Sequence, residues 1–379
     1  MRIVILKSFI DAAGGLEKNT WRIAKAFAAC GHEVVLLTTG THSFFTADGI
    51  EVVNVAERSR LSFFHMIDFD RKCKRWLQKN PSQVVFGMDR NSCQTHYRAG
   101  NGVHAQYLKQ RSRIEPWYKR LSFGCNPLHR VILDYERIAF QSPSLRLLFT
   151  NSLMVRQEIL ERYEIEEEKV CVVHNGVEWG EFAAVFLQRE SLGAQVKKEQ
   201  GLDTGAFQFL FVGSGFKRKG LDYLLKALAL LDRKDVQLTV VGKDKGMDEY
   251  ALLAKKLGLS QQTFFVGVQK NVLPYYAMAD CCVIPSIYDP FANVTLESLA
   301  MGLPVLTSRF NGGAEVVESL SGSVIEDLFS VDSFVDALQR MIKEPKTVVR
   351  AQKIRDSVEV YSYDKQMKKI IDNTLQTVP

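Results

Sequence analysis

The chain has 379 residues, of which 46% are hydrophobic and 24% charged, so it can bury more than one core. Two domains are the natural expectation for this length. The seven cysteines form no Cys-x-x-Cys pair and no Cys/His spacing suited to zinc, which predicts a reducing, cytoplasmic environment and no structural metal. The apolar N-terminal run is broken at Lys7, so it is too short for a signal-peptide core or a membrane span.

The net charge of +6 is carried by the first half of the chain, where residues 1–180 hold 25 Lys/Arg against 19 Asp/Glu. Such an excess suggests an acidic partner, such as anionic lipid, a phosphorylated glycan or nucleic acid. Scattered, solvated lysines would give the same count.

Short β-branched runs alternate with helical patterns through the first half, at residues 3–6, 34–38, 84–88, 145–150 and 170–174. Between the first two runs, apolar or small residues recur at spacings of three and four from Leu16 to Cys30, and Gly31 follows as a helix stop. This alternation predicts a parallel sheet with crossover helices.

Two features of this half suggest contact with a ligand or a surface. Gly14 and Gly15 lie between the first strand and the first helix, where glycine permits close approach of a ligand, although a tight loop needing positive φ is the alternative. Residues 107–137 interleave aromatic side chains with seven Lys/Arg. That composition suits an anionic membrane surface or an acidic glycolipid, and equally a solvated helical face.

The strand pattern begins again in the second half, at residues 209–212, 236–241, 263–266, 281–284 and 304–307. We therefore predict two α/β domains with doubly wound parallel sheets, covering residues 1–180 and 181–361. The polar stretch 178–205 is expected to be the linker. The last helical segment, within about 362–379, is expected to pack back on the first domain.

A glycine-rich basic loop follows the first strand of the second domain, as Gly213-Ser214-Gly215-Phe216-Lys217-Arg218-Lys219-Gly220. Glycines allow the backbone to approach a ligand, and adjacent cations can neutralise a diphosphate. The spacing fits neither a Walker A loop nor Gly-x-Gly-x-x-Gly, which argues against a kinase, GTPase or dehydrogenase. A solvated basic turn would look the same.

Two carboxylates follow the strand at 281–284. Asp289 precedes a predicted helix start near Asn293, and Glu297 lies about one turn inside that helix. Carboxylates accept hydrogen bonds from paired sugar hydroxyls, so both residues are candidates to bind a sugar-containing ligand at this edge of the sheet. The alternative is an N-cap aspartate with a surface glutamate.

Together these segments resemble the retaining glycosyltransferases of family 4, which have the GT-B fold of two Rossmann-like domains facing across a cleft. The family's phosphate-binding basic residues match Arg218 and Lys219, and its Glu-x7-Glu signature matches Asp289 and Glu297. Further matches are Gly14-Gly15-Leu16-Glu17, His174-Asn175-Gly176-Val177 and Ala300-Met301-Gly302-Leu303-Pro304-Val305. The resemblance covers nearly the whole chain and is greatest to lipopolysaccharide core glucosyltransferases, through Gly220-Leu221-Asp222 and residues 241–245.

The resemblance implies roles for the matched residues. Arg218 and Lys219 would bind the diphosphate, Glu297 the ribose hydroxyls, and Asp289 the hexose, together with backbone amides of the segment that follows it. The implied donor-binding residues also include Gly15, Gly213, Val266, Phe291, Ala292, Asn293 and Val294, of which Val266 would be the wall for the base or simply part of the core.

The chain departs from the family pattern at two positions. Asp289 replaces a glutamate and is one methylene shorter, which bears on donor choice. Ser214 stands where many members have an arginine, so Arg218 and Lys219 would carry the diphosphate charge between them.

In the first half, the resemblance implies that His104 makes a polar, proton-sharing contact with the donor sugar or its phosphate, and that the Gly14-Gly15 loop meets donor or acceptor. His32 lies at a helix-to-strand turn and is interpreted as structural, and the histidines at 42, 65, 96 and 129 carry no motif. Asp68-Phe69-Asp70 resembles the metal motif of the other major glycosyltransferase fold, but it precedes a helical run rather than ending a strand, so we reject a metal role.

The resulting hypothesis is retaining transfer of a hexosyl group from a nucleoside-diphosphate sugar, with UDP-glucose as best guess, to a glycolipid or glycan hydroxyl in the lipopolysaccharide core. No cofactor, metal or nucleic acid is expected to take part, and the protein is expected at the inner face of the cytoplasmic membrane. The alternatives are an epimerase or phosphorylase of the same fold, or a non-catalytic protein that binds anionic lipid or nucleic acid.

Overall fold

The computed structural model describes residues 1–10, 15–40, 44–47, 49–57, 61–344 and 347–378. The chain forms two compact units, the first comprising Met1–His174 and Asp364–Pro379 and the second Asn175–Tyr363. The sequence placed the corresponding boundaries at residue 180 and at about residue 362.

The first unit is built on one eight-stranded sheet in the order β3-β4-β2-β1-β5-β6-β7-β8, in which only the β3–β4 pair is antiparallel. Its strands are β1 (Arg2–Leu6), β2 (Glu33–Thr39), β3 (Phe44–Ala47), β4 (Ile50–Ala56), β5 (Val84–Gly87), β6 (His96–Arg98), β7 (Leu147–Thr150) and β8 (Val170–Val172). The chain proceeds from β1 towards one edge and from β5 towards the other, so the switch point of this doubly wound sheet lies between β1 and β5.

Among its described residues, the first unit has six α-helices before His174: α1 (Gly15–Ala29), α2 (Ser62–Lys79), α3 (His104–Ser112), α4 (Trp117–Cys125), α5 (Pro127–Phe140) and α6 (Leu153–Arg162). The predicted crossover helix is confirmed as α1, which buries Ile23 and Phe27 on the face towards the sheet. Gly31, at φ +80°, follows its C-terminus.

The second unit has a six-stranded, wholly parallel sheet in the order β11-β10-β9-β12-β13-β14. Its strands are β9 (Phe207–Val212), β10 (Val236–Val241), β11 (Thr263–Gly267), β12 (Cys281–Ile284), β13 (Val305–Ser308) and β14 (Gly322–Ile325). The switch point lies between β9 and β12, and the two predicted ligand segments are the loops that leave these strands.

The helices of the second unit alternate with its strands along the chain. They are α7 (Trp179–Leu187), α8 (Arg189–Glu199), α9 (Phe216–Lys219), α10 (Leu221–Leu231), α11 (Met247–Lys256), α12 (Leu273–Met278), α13 (Asn293–Ala300), α14 (Val331–Lys343) and α15 (Val348–Ser357). The chain then returns to the first unit as α16 (Tyr363–Gln376), as predicted. The hydroxyl of Thr377 lies 2.7 Å from His96 Nε2 on β6.

The predicted linker at 178–205 is wrong, because this stretch forms α7 and α8 and packs into the second unit. Phe182 and Phe186 of α7 are buried in its core. The buried face of α8 includes Gly193, which packs closely against the backbone of α12. A Cβ on Gly193 would lie 2.9 Å from the carbonyl oxygen of Ala277. Hydrophobic periodicity does not count glycine as a core residue, so the pattern looked like a polar connection.

Within the described residues, no helix is both long and apolar enough to cross a membrane.

Candidate active site

A buried ion cluster lies at the carboxyl edge of the second sheet, beside its switch point. Lys219 Nζ donates to Asp289 Oδ2 at 2.6 Å, and Arg218 Nη1 donates to the same oxygen at 2.9 Å. The side chains of Lys219 and Asp289 are only 11% and 10% exposed, whereas that of Arg218 is 39% exposed. The structure therefore brings together the three residues that the sequence placed on two separate loops.

The backbone explains how these loops meet. The amide of Ile287 donates to the carbonyl of Arg218 at 2.9 Å, which joins the loop after β12 to the loop after β9. Gly220 lies at this junction with φ +78°, and a Cβ there would come within 1.9 Å of the carbonyl oxygen of Pro285. Only glycine fits this position, because the left-handed conformation and the close approach both exclude a side chain.

The electrostatics of the cluster favour an ionised carboxylate. Burial by itself would raise the pKa of Asp289, but the charges and hydrogen bonds of Lys219 and Arg218 outweigh it and hold that pKa below its ordinary value. Two cations share one carboxylate, so the cluster keeps a net positive charge. A partly buried cluster with a net positive charge at the end of a strand is suited to bind an anionic group such as a diphosphate.

Two asparagines hold the loop that follows Asp289, and sequence reasoning missed their role. Buried Asn311 accepts hydrogen bonds from the amides of Ala292 and Gly313 and donates to the hydroxyls of Thr295 and Thr307, at 2.8–3.2 Å. The Ala292 amide, which the resemblance assigned to the hexose, is therefore already bonded within the protein.

Asn175 holds the other side of this loop. Its amide group donates to the carbonyl of Phe291 at 3.2 Å and to Asn293 Oδ1 at 2.8 Å. The sequence identified Asn175 only as part of a family motif. Its side chain fixes the backbone just before α13, whose predicted start near Asn293 is confirmed.

Glu297 lies in α13 with a half-buried side chain. Its Oε2 accepts a hydrogen bond of 2.7 Å from the hydroxyl of Tyr276 on α12. The sequence did not predict a role for Tyr276, because it stands next to another tyrosine, Tyr275, and belongs to no recognised motif. The N-cap alternative for Asp289 is wrong, since α13 begins after Ala292 and has no side-chain cap.

The other predicted donor residues occupy the same edge of the sheet with different exposures. Phe291 and Ala292 are buried in the core, so their side chains cannot meet a ligand, and the Ala292 amide is already bonded to Asn311. Val266 and Val294 are half-buried and pack against that core, and Gly213 directly follows β9. These apolar side chains anchor the loops.

In the first unit, Gly14 lies outside the described residues and Gly15 is the first residue of α1. His104 begins α3, and its amide donates to the buried carboxylate of Glu136 at 2.7 Å. The same carboxylate accepts from Arg90 at 2.8 Å and from the hydroxyl of Tyr163 at 2.6 Å. This network fixes the backbone position of His104, from which its side chain extends.

The imidazole of His104 is paired with that of His129, whose Nδ1 lies 3.0 Å from His104 Nε2. Burial foremost, and then the charge of Arg90, lowers the pKa of His104 to about 4. His104 is therefore a neutral hydrogen-bonding group near pH 7. The sequence left His129 without a role, because its partner lies 25 residues away on another helix.

At the switch point of the first sheet, buried Lys7 donates to Asp89 Oδ1 at 2.9 Å and lies 3.8 Å from Glu17. The amide and hydroxyl of Ser8 both donate to the other oxygen of Asp89 at 2.7 Å. Burial opposes ionisation of Asp89, but Lys7 and Ser8 outweigh it and lower its pKa. This cluster was not predicted, although a lysine and an aspartate that closely follow two strands are a signal detectable in the sequence.

Asp68 and Asp70 lie in α2, as the helical pattern predicted. Asp68 pairs with Lys72 at 2.9 Å, while buried Asp70 accepts from the amide and hydroxyl of Ser92. Residues two apart on a helix face different directions. In the part of the chain that the structure describes, no group of three or more His, Cys, Asp or Glu is placed to hold a metal ion.

Comparison with known proteins agrees with this arrangement. The family model for group 1 glycosyl transferases matches residues 194–357, and that for glycosyltransferase family 4 matches residues 13–179. The chain belongs to the glycosyltransferases that carry these two domains. Both ligand segments lie within the first match.

Lipopolysaccharide glucosyltransferase WaaG of Escherichia coli K12 is 26% identical over 379 residues, covering 96% of each protein. The crystal structure of WaaG, a glycosyltransferase involved in lipopolysaccharide biosynthesis, aligns with a TM-score of 0.78 at 23% identity, over 98% of this chain and 99% of that one. Anabaena HepE in complex with UDP-glucose aligns with a TM-score of 0.71 at 15% identity, over 99% and 100%. The predicted GT-B fold is thus confirmed.

Proposed function

We propose that this glycosyltransferase moves a hexosyl group from a nucleoside-diphosphate sugar, with UDP-glucose as the first candidate, to a hydroxyl of a glycolipid or glycan acceptor of the lipopolysaccharide core. The observation that carries the proposal is the net positive Lys219, Arg218 and Asp289 cluster at the switch point of the second sheet. The resemblance to WaaG supports the glucosyl donor and the acceptor class.

In this proposal the cluster works on the leaving group. As the bond to the anomeric carbon breaks, negative charge grows on the diphosphate, and Lys219, Arg218 and the positive end of α13 stabilise it. Asp289 accepts from hexose hydroxyls and Glu297 from ribose hydroxyls. Neutral His104 offers a hydrogen bond to the sugar or its phosphate without adding charge.

Donor binding is the most direct test. Thermal unfolding is measured with UDP-, GDP- and ADP-glucose, and a ligand at 100 times its dissociation constant adds about 2.7 kcal/mol of stability. The expected result is a shift with one of the three, followed by transfer of radiolabelled glucose to lipopolysaccharide core acceptor. No shift with any nucleotide sugar would contradict the proposal.

We also propose that the sugar keeps its anomeric configuration and that no metal is needed. Asp289 is bonded to two cations and is poorly placed as a nucleophile, which favours front-face displacement in which the leaving diphosphate helps to deprotonate the acceptor. NMR of the product reports the configuration. Inversion, or strict dependence on added manganese after treatment with a chelator, would overturn these assignments.

Helix α4 supports a peripheral position at the inner face of the cytoplasmic membrane. None of its residues is buried, and Trp117, Tyr118 and Leu121 are 71%, 57% and 67% exposed. Lys119 and Arg120 are exposed on the same short helix. Apolar and aromatic side chains beside cations are suited to the interface of an anionic bilayer.

This membrane proposal is tested with vesicles containing phosphatidylglycerol. Of the four tryptophans only Trp117 is exposed. Brominated lipid should therefore quench the fluorescence of Trp117, and the Trp117→Phe variant should lose this quenching. Leu121→Ser should weaken binding, whereas Leu252→Ser, at an exposed leucine of the second unit, should not. Failure of the wild-type protein to bind these vesicles at low salt would contradict the proposal.

A further inference from the structure

Tyr276 is a buried residue whose only polar group meets the candidate site. Its hydroxyl donates to Glu297 Oε2 at 2.7 Å. The residue is 1% exposed, and its ring is part of the hydrophobic core of the second unit. Such a side chain cannot reach a nucleotide itself, so any effect on a ligand must pass through Glu297.

The phenol is held as a permanent donor. Burial foremost, and then the neighbouring charge of Glu297, raises the pKa of Tyr276 well above its ordinary value. The hydroxyl therefore keeps its proton throughout the physiological range. An O–H group that donates to a carboxylate makes one of the stronger hydrogen bonds in proteins, because the acceptor is charged.

The bond restrains a flexible side chain before the donor arrives. Glutamate has three side-chain torsions and loses considerable rotamer entropy when it is ordered. Tyr276 is fixed by the core and holds one carboxylate oxygen of Glu297, so a ligand does not bear the whole ordering cost. A carboxylate has about four lone-pair sites, and the phenol occupies a minority of them.

We propose that Tyr276 is a positioning residue that orients the carboxylate of Glu297 to accept both hydroxyls of the donor's ribose. The inference rests on the assignment of Glu297 to the ribose in the proposed function. The role of Tyr276 is selectivity for a ribonucleotide over a deoxyribonucleotide, since the aligned carboxylate is matched to a vicinal diol.

The test compares UDP with 2′-deoxy-UDP by calorimetry in the wild type and in Tyr276→Phe. In Tyr276→Phe the ligand must bear the cost of ordering the Glu297 side chain, which should weaken UDP binding about 5-fold to 10-fold. Binding of 2′-deoxy-UDP should change less than threefold, because the second hydroxyl is absent. With UDP-glucose, KM should rise similarly while kcat stays within twofold.

Tyr275→Phe is the matched control, because this neighbouring tyrosine of α12 is also buried but has no bond to Glu297. It should leave both affinities unchanged. If Tyr276→Phe does not fold, Tyr276→Met removes the hydroxyl with a different shape, and the same comparison applies. Equal weakening of UDP and 2′-deoxy-UDP would show a merely structural role and overturn the inference, as would unchanged UDP binding.

Glu297→Ala separates failure of this inference from failure of the proposed function. If that variant still prefers UDP to 2′-deoxy-UDP as strongly as the wild type, the ribose assignment itself is wrong. If it loses the preference while Tyr276→Phe keeps it, only the role of Tyr276 is wrong. Absence of UDP binding by the wild type contradicts the uridine donor and moves the comparison to GDP and 2′-deoxy-GDP.

Discussion

Lys219→Met removes the ammonium group of the buried ion cluster and keeps most of the aliphatic stem. That stem lies against Gly213, since a Cβ built there would be 3.5 Å from Lys219 Cγ and Cε. Packing should therefore survive, and the change isolates the charge. Two separate effects are expected, one on stability and one on catalysis.

The stability effect follows from the burial of Asp289. Removing one partner of a buried ion pair costs roughly 3–5 kcal/mol. Arg218 still donates to the same carboxylate oxygen, so we expect a smaller loss of about 2 kcal/mol. Adding Asp289→Asn removes the stranded charge and should bring the urea unfolding midpoint most of the way back to that of the wild type.

The catalytic effect should not be rescued by the second substitution. Loss of one contact that stabilises transition-state charge lowers kcat by about 10²-fold to 10³-fold. The double variant should remain at least as slow as Lys219→Met, because the diphosphate still lacks its cation. Lys217→Met, at the exposed neighbouring cation, should change neither property substantially.

Two outcomes would refute this reasoning. If the double variant regains both stability and rate, Lys219 acts by supporting the fold and has no role at the diphosphate. If Lys219→Met transfers sugar at the wild-type rate, whatever its urea unfolding midpoint, the cluster is not the leaving-group site at all. The measurements are initial rates at saturating donor and urea unfolding of the same preparations.

Three further changes test other parts of the structure. Asn311→Ala leaves the Ala292 and Gly313 amides without their acceptor, so it should cost about 2–4 kcal/mol in urea unfolding and raise the donor KM. Gly220→Ala should cost more than about 2 kcal/mol, because a Cβ there would lie 1.9 Å from the Pro285 carbonyl oxygen. Below about pH 6.5 the unfolded chain protonates His96, whereas burial lowers the native pKa to about 4, so the unfolding midpoint should fall as pH drops between these values.

Two of these predictions have a matched comparison. Gly258→Ala has a similar φ of +77° with nothing within 4 Å, so it should cost only about 1 kcal/mol. The pH effect of one histidine is at most about 3 kcal/mol, and His96→Gln should reduce the slope. A pH profile unchanged by His96→Gln, or an Asn311→Ala variant with wild-type stability, would contradict the corresponding contacts.

The sequence predicted most of the sheet framework because buried parallel strands are short, continuous apolar runs. Strands β9, β10 and β12 were located within two residues of their observed ends. It missed β3, β4, β6 and β14, of which β6 and β14 have three and four residues and lack such runs. The placing of Lys219 and Asp289 at one sheet edge also followed from the sequence, since loops after neighbouring parallel strands must meet.

The partners of the site residues could not be predicted in the same way. Asn311, Tyr276 and His129 each contact a site residue that is far away in the chain or on another helix. Buried Glu136 lies in a stretch whose composition indicated a basic surface. Composition and periodicity report on which face is buried, whereas these contacts depend on which side chains the tertiary packing brings together.

Each sheet has a buried lysine–aspartate pair at its switch point, but the two clusters around these pairs have net charges of opposite sign. At the first switch point Lys7 faces two carboxylates, Asp89 and Glu17, so the cluster is net negative. At the second, Asp289 faces two cations and the cluster is net positive. The excess positive charge of the first half therefore does not lie at its switch point and is concentrated in segments such as residues 107–137. This distribution fits a diphosphate at the second sheet, a hydroxyl-bearing acceptor at the first, and an anionic surface beside α4.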